Sequence, residues 1–176
     1  MKIKGLIDES FSDYKKPSMY IAFPTCSFKC DKLNECQVCQ NSHLANEPII
    51  DIPKEEIIER YLANPITQAI VLSGLEPLDS IVDVMSFIDS LRNKYKCDDD
   101  IVIYTGYTQF EVESGEYEQN SSKLGKNFLS YIKGFPNIYM KFGRYLYNDS
   151  PREDTVLGIT LASSNQYGVK ISNEKI

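Results

Sequence analysis

The chain has 176 residues, 42% of them hydrophobic, and a formal net charge of −6 at pH 7; that length is one domain's worth and can bury a core of its own. The acidic balance argues against a nucleic-acid surface, because phosphate contacts draw on clustered Lys and Arg. No stretch approaches the roughly 20 apolar residues that span a bilayer, and the start MKIKGLIDES lacks the apolar segment of a signal peptide. The expectation is therefore a single cytoplasmic domain over residues 1–176, with no nucleic-acid and no membrane partner.

Residues 19–23 (MYIAF) read as a buried strand. Residues 53–62 follow as a helix, with Pro53 in its first turn, Glu55 and Glu56 near its N-terminus, and Ile57, Ile58, Tyr61 and Leu62 on one face. Residues 68–72 form a second strand. Asp79 stands as the N-cap of a long helix in which Val82, Met85, Phe87, Ile88 and Leu91 recur at helical spacing. A third strand, 101–104, ends in the turn Thr105-Gly106; 124–132 is a third helix, 137–142 a fourth strand and 156–161 a fifth. Strands alternating with helices predict an α/β fold with right-handed crossovers and a mainly parallel sheet. Ligands of such folds sit at the carboxyl ends of the strands. The segments after the first three strands should therefore converge on one rim.

The segment after the first strand carries the chemistry. Cys26, Cys30, Cys36 and Cys39 fall within fourteen residues. Disulfide frameworks belong mostly to small secreted domains, and clustered thiols in a reducing compartment point to a metal or to catalysis. Cys36 and Cys39 have the spacing of a zinc half-site, but only five residues separate them from the Cys26 and Cys30 pair, very short for a zinc ribbon. An iron–sulfur cluster also takes thiolates, and three of them would leave one iron open to substrate. Spacing alone leaves both options standing.

The segment TCSFKC at 25–30, followed by Cys39-Gln40-Asn41, resembles the cysteine motif of the radical S-adenosylmethionine superfamily, with DKLNEC at 31–36 as an insertion. Ser73-Gly74-Leu75-Glu76-Pro77 is similar to that superfamily's GGEP motif, with Leu75 in place of the second glycine. Tyr104-Thr105-Gly106-Tyr107-Thr108, Phe142-Gly143-Arg144-Tyr145 and Ser163-Ser164-Asn165-Gln166 look most like segments of the anaerobic ribonucleoside-triphosphate reductase activating enzymes. Phe142 replaces the family's Asp, and Leu161-Ala162 replaces its Arg-Gly.

The resemblance implies a partial (βα) barrel with a mainly parallel sheet. It implies a 4Fe–4S cluster on Cys26, Cys30 and Cys39, with Cys36 as an alternative to Cys30 or a fourth ligand. S-adenosylmethionine would be held by Ser73, Gly74, Glu76, Pro77, Thr105 and Gly106, with no catalytic side chain beyond the cluster. Such an enzyme cleaves its cofactor reductively and places a glycyl radical on the large subunit of an anaerobic, class III ribonucleotide reductase, fed by reduced flavodoxin or a ferredoxin-type donor. Two alternatives are a radical enzyme acting on another peptide or small molecule, and a non-catalytic metal-binding module in which all four cysteines close the site. His43, the only histidine, and Cys97, beside Asp98, Asp99 and Asp100, are read as spectators.

Overall fold

A computed structural model describes residues 1–115 and 123–172. Its strands are β1 (Lys2–Ile3), β2 (Gly5–Ser10), β3 (Ser18–Phe23), β4 (Ile50–Asp51), β5 (Ala69–Gly74), β6 (Asp100–Tyr104), β7 (Ile138–Phe142), β8 (Arg152–Asp154), β9 (Ile159–Leu161) and β10 (Tyr167–Lys170). Its α-helices are α1 (Lys29–Asn34), α2 (Lys54–Ala63), α3 (Ile81–Asp89), α4 (Gln109–Ser114) and α5 (Lys123–Ile132). A six-stranded sheet runs in the order β10-β7-β6-β5-β3-β2. The four inner strands are parallel, and β2 and β10 pair antiparallel at the two edges.

Strand alternation divides the sheet into two faces. Register places Met19, Ile70, Ile101 and Ile138 in one row and Ile21, Leu72, Ile103 and Met140 in the next. Both rows are buried under Ile57, Ile58 and Tyr61 of α2, Val84, Phe87 and Ile88 of α3, and Phe128 and Ile132 of α5. Each such side chain contributes roughly 1.5–3 kcal/mol by leaving water. The opposite face carries Ala69, Val71 and Val102, which pack with Tyr14, Leu157 and Leu161. The β8–β9 hairpin, not a helix layer, thus covers that side.

Several boundaries differ from the sequence reading. Asp79 does not cap α3. It lies inside a 3₁₀ turn, Pro77–Ser80, whose cap is Glu76, and its carboxylate instead accepts the Ser27 N–H at 2.7 Å and the Tyr107 hydroxyl at 2.6 Å. Val82 and Leu62 are exposed, so the buried stripe of α3 is Ile81, Val84, Phe87 and Ile88. Helix α3 continues into a π-helical turn, Ser90–Lys94, tied down by Arg92 to the carbonyls of Asp99 and Pro136. The fifth strand is short, because residues 156–158 form the turn that enters it. Among the described residues no helix is long and apolar enough to cross a membrane.

Candidate metal centre and its cavity

At the carboxyl ends of β3, β5, β6 and β7 lies a cavity of about 310 Å³. Cys26, Cys30 and Cys39 line it, together with Ser73, Gly74, Glu76, Thr105 and Gly106. Cys36 does not; it is exposed. Pro77 is buried at the start of its 3₁₀ turn and does not line the cavity either. All five cysteines carry free thiols.

The loop from β3 is folded by its own polar residues. The Phe28 N–H donates to Cys26 Sγ at 3.2 Å, and Phe28 takes a left-handed φ of 49° as it enters α1. Asn34 donates to the carbonyls of Cys30 at 2.7 Å and Tyr145 at 3.2 Å, and accepts the Tyr147 N–H at 3.0 Å. Asn41 crosses to the Gly74 carbonyl at 2.6 Å. Residues 31–36, which the sequence reading sets aside as an insertion, supply most of α1, and their Asp31 and Asn34 bond the backbone of Cys39 and Cys30.

The turn after β5 depends on Gly74. Its φ is +84°, and a Cβ there would lie 2.6 Å from the Ala22 Cα and 2.7 Å from the Phe23 nitrogen, so only glycine fits between β5 and β3. Leu75 is not among the residues with positive φ. The position that differs from the GGEP pattern therefore never needs glycine's freedom.

Glu76 is 5% exposed. One of its oxygens accepts the Leu78 N–H at 3.0 Å and the other the Gly106 N–H at 2.8 Å. Burial pushes its carboxyl up to about 7, against the pull of those two amides. Burial likewise pushes the Cys26 thiol up to about 12, and raises Cys30 and Cys39. In the metal-free protein the three are thiols, so a metal must displace their protons.

The structure adds one group that motif reading missed, Lys141, and gives partners to Arg144, Asn165 and Gln166 of the later motifs. Lys141, from the strand face opposite the helices, is buried in the cavity wall and donates to the Gly143 carbonyl at 2.8 Å. Burial pushes its ammonium down to about 8, opposed by Glu76 and Cys30. Arg144 forms an ion pair with Glu111, and its guanidinium lies 5.5 Å from the centre of the Tyr107 ring. Gln166 accepts the N–H groups of Ala162 and Ser163 and donates to the Gly143 carbonyl at 3.2 Å, while Asn165 donates to the Arg144 carbonyl at 2.9 Å. The segments at 142–145 and 163–166 are thus one structural unit. A lysine at the end of an otherwise apolar strand was the available signal for Lys141.

Three soft thiol donors lining one cavity suit an iron–sulfur cluster. Among the described residues no three His, Cys, Asp or Glu side chains close around a point where one metal ion could sit; a cube of four irons takes its thiolates at separate corners. Fold and site together define an α/β protein with a cysteine loop at the carboxyl end of its first parallel strand. A family model described as a 4Fe-4S single cluster domain matches residues 18–134, and the chain belongs to that family. No curated protein and no solved structure matches the chain.

Proposed function

We propose that this chain is a radical S-adenosylmethionine enzyme whose 4Fe–4S cluster is held by Cys26, Cys30 and Cys39, with one iron left without a protein ligand. The observation that carries this reading is that these three thiols, and not Cys36, face the same cavity as Glu76, Ser73, Gly74, Thr105 and Gly106. When bound, the cluster and S-adenosylmethionine would together supply, with one electron from an external donor, reductive cleavage of a carbon–sulfur bond.

The protein's part is to bind, orient and shelter. Glu76, fixed by two backbone amides, accepts the ammonium of the methionine moiety, and a cation beside it holds the carboxylate ionised despite its burial. Gly74 lets β5 approach β3 closely enough to set that turn. Ile159, Leu161 and Ala162 add an apolar stretch to the cavity wall beside these polar groups. A cavity of about 310 Å³ falls at the small end of the range for small-molecule sites. The open sheet with its helices on one face suits a partial barrel.

The finer assignment is an activase that installs a glycyl radical on the large subunit of an anaerobic, class III ribonucleotide reductase, in a reducing cytoplasm, with reduced flavodoxin or a ferredoxin-type protein as donor. Its support is the segment at 104–108 and the coupled segments at 142–145 and 163–166. One observation favours a different substrate, another peptide or a small molecule. Phe142, at the family's Asp position, is buried in the helix-side core, and Lys141 lines the cavity instead.

Anaerobic reconstitution followed by electron paramagnetic resonance tests the reading. We expect about four irons and four sulfides per chain, a reduced spectrum that changes when S-adenosylmethionine is added, release of 5′-deoxyadenosine, and a glycyl radical on a reductase encoded beside this gene. One zinc per chain would refute the enzyme, and cleavage without a glycyl signal would move the substrate to the second reading.

A further inference from the structure

The cavity holds one buried ammonium that forms no ion pair with the carboxylates Asp13 and Glu76 of its own walls. Lys141 is 8% exposed. Of the three N–H bonds of its ammonium, one is donated to the Gly143 carbonyl. The ion pairs among the described residues are Met1–Asp51, Lys16–Asp100, Arg60–Asp8 and Arg144–Glu111, and Lys141 is in none of them. Glu76 faces it across the cavity beyond ion-pair distance, with both oxygens engaged by backbone amides. Arg144, by contrast, is neutralised by Glu111.

An ammonium taken out of water without a counter-ion is costly. A cavity built this way suits an anion beside Lys141. The three thiols are not equivalent toward that charge. Cys30 feels Lys141 and Arg144 against Glu76, whereas Cys26 has only the acidic Glu76 and Asp79 near it and Cys39 has Asp31. Of the three thiols, Cys30 is the one that a cation reaches, and Lys141 is the cation there that no carboxylate pairs.

We infer that Lys141 is a positioning residue for charge: its ammonium compensates the cluster at the Cys30 corner and raises the potential at which the cluster accepts an electron. The inference rests on the ligand set proposed above, and does not depend on the identity of the substrate. A 4Fe–4S core is formally dipositive when oxidised and monopositive when reduced, so with three thiolates the assembly passes from one net negative charge to two. The electron comes from an external donor, a reduced carrier protein in the cell or dithionite in the experiment. A fixed cation in a desolvated wall stabilises the more negative state more than the less negative one.

The test is a redox titration of reconstituted protein, without S-adenosylmethionine, followed by electron paramagnetic resonance in the wild type, Lys141→Met and Lys141→Arg. Lys141→Met should keep its iron and sulfide yet shift the reduced-to-oxidised ratio at a given potential at least tenfold toward oxidised, which for a one-electron couple is 59 mV. Lys141→Arg should restore most of it. Equal potentials in wild type and Lys141→Met would overturn the inference, and if the Met variant then bound S-adenosylmethionine tenfold more weakly, Lys141 would serve a ligand carboxylate instead. Lys141→Gln accompanies the series in case the Met variant loses its cluster. Loss in Met and Gln with retention in Arg upholds charge compensation, and loss in all three assigns Lys141 to the fold and overturns it. A wild type that takes up no iron would defeat the ligand set itself, an outcome distinct from all of these.

Discussion

Asp31 holds Cys39 in place: a single carboxylate oxygen accepts the backbone N–H of both Val38 and Cys39, each at 2.8 Å. Asp31 belongs to the residues that separate the two cysteine pairs, so this stretch organises the loop as well as lengthening it. Hydrogen bonds to an ionised acceptor contribute roughly 1.5–3 kcal/mol each when well buried, and less at a half-exposed site such as this one. Asp31→Ala should lower the stability of the metal-free protein by about 1–3 kcal/mol, measured by urea unfolding. It should also reduce iron retained per chain after desalting, with Asp31→Asn falling between. Unchanged iron content in the Ala variant would show that Cys39 is positioned by other contacts.

The single cysteine variants should separate into two groups. Cys26, Cys30 and Cys39 line the cavity and Cys36 is exposed away from it. Alanine at each of the first three should abolish the visible absorption of the reconstituted cluster, and Cys36→Ala should leave iron and sulfide at wild-type levels. Loss of the cluster in all four would mean that the site closes with four thiolates; tolerance at Cys30 would exchange it for Cys36.

Sequence periodicity located the parallel strands because their residues on the helix side, such as Ile21, Leu72, Ile103 and Met140, are uniformly apolar and bounded by turns. It missed β2 and β10, because edge strands are half exposed and show no clean alternation; Ile7 of β2 is 52% exposed. Helix α1 was hidden for a different reason. It is six residues long with none buried, so it has no amphipathic stripe, and its form comes from hydrogen bonds made by Asp31 and Asn34. Motifs brought the cysteines, Glu76 and Gly106 to one place because each follows a parallel strand. Lys141 entered only with the structure, since strand alternation decides which side chains of β7 face the cavity, and Arg144, although part of a quoted motif, gained its partner Glu111 only there.

Gly74→Ala should be among the most damaging small changes in the protein. The added methyl would meet backbone atoms of Ala22 and Phe23 at 2.6 and 2.7 Å, and φ is +84°. Left-handed strain of about 1–3 kcal/mol adds to overpacking of about 1–3 kcal/mol. Gly106→Ala is the control, because its Cβ would sit at ordinary contact, 3.5 Å from Glu76 Oε2 and 3.7 Å from Cys30 Sγ. Urea midpoints should fall far more for Gly74→Ala than for Gly106→Ala. A similar small loss in both would mean that the β5–β3 approach can relax.

The last prediction concerns pH and the metal-free protein. Burial pushes the Glu76 carboxyl up to about 7, so the folded chain keeps this proton over a range in which the unfolded chain, with an ordinary value near 4.3, has released it. Its contribution to stability is complete below the unfolded value and is lost as pH rises through the folded one. Glu76→Gln cannot titrate and removes that dependence. Relative to the Gln variant, the wild type should lose on the order of 3 kcal/mol between about pH 4 and pH 7, read from urea unfolding at several pH values. The slope carries the result, because glutamine also alters the bonds to Leu78 and Gly106 by an amount that does not vary with pH. Lys141, pushed down to about 8, acts at higher pH, where the wild type should regain stability as pH rises toward the ordinary lysine value of about 10.4. A pH-independent difference between wild type and Glu76→Gln would show that solvent reaches the carboxylate in solution.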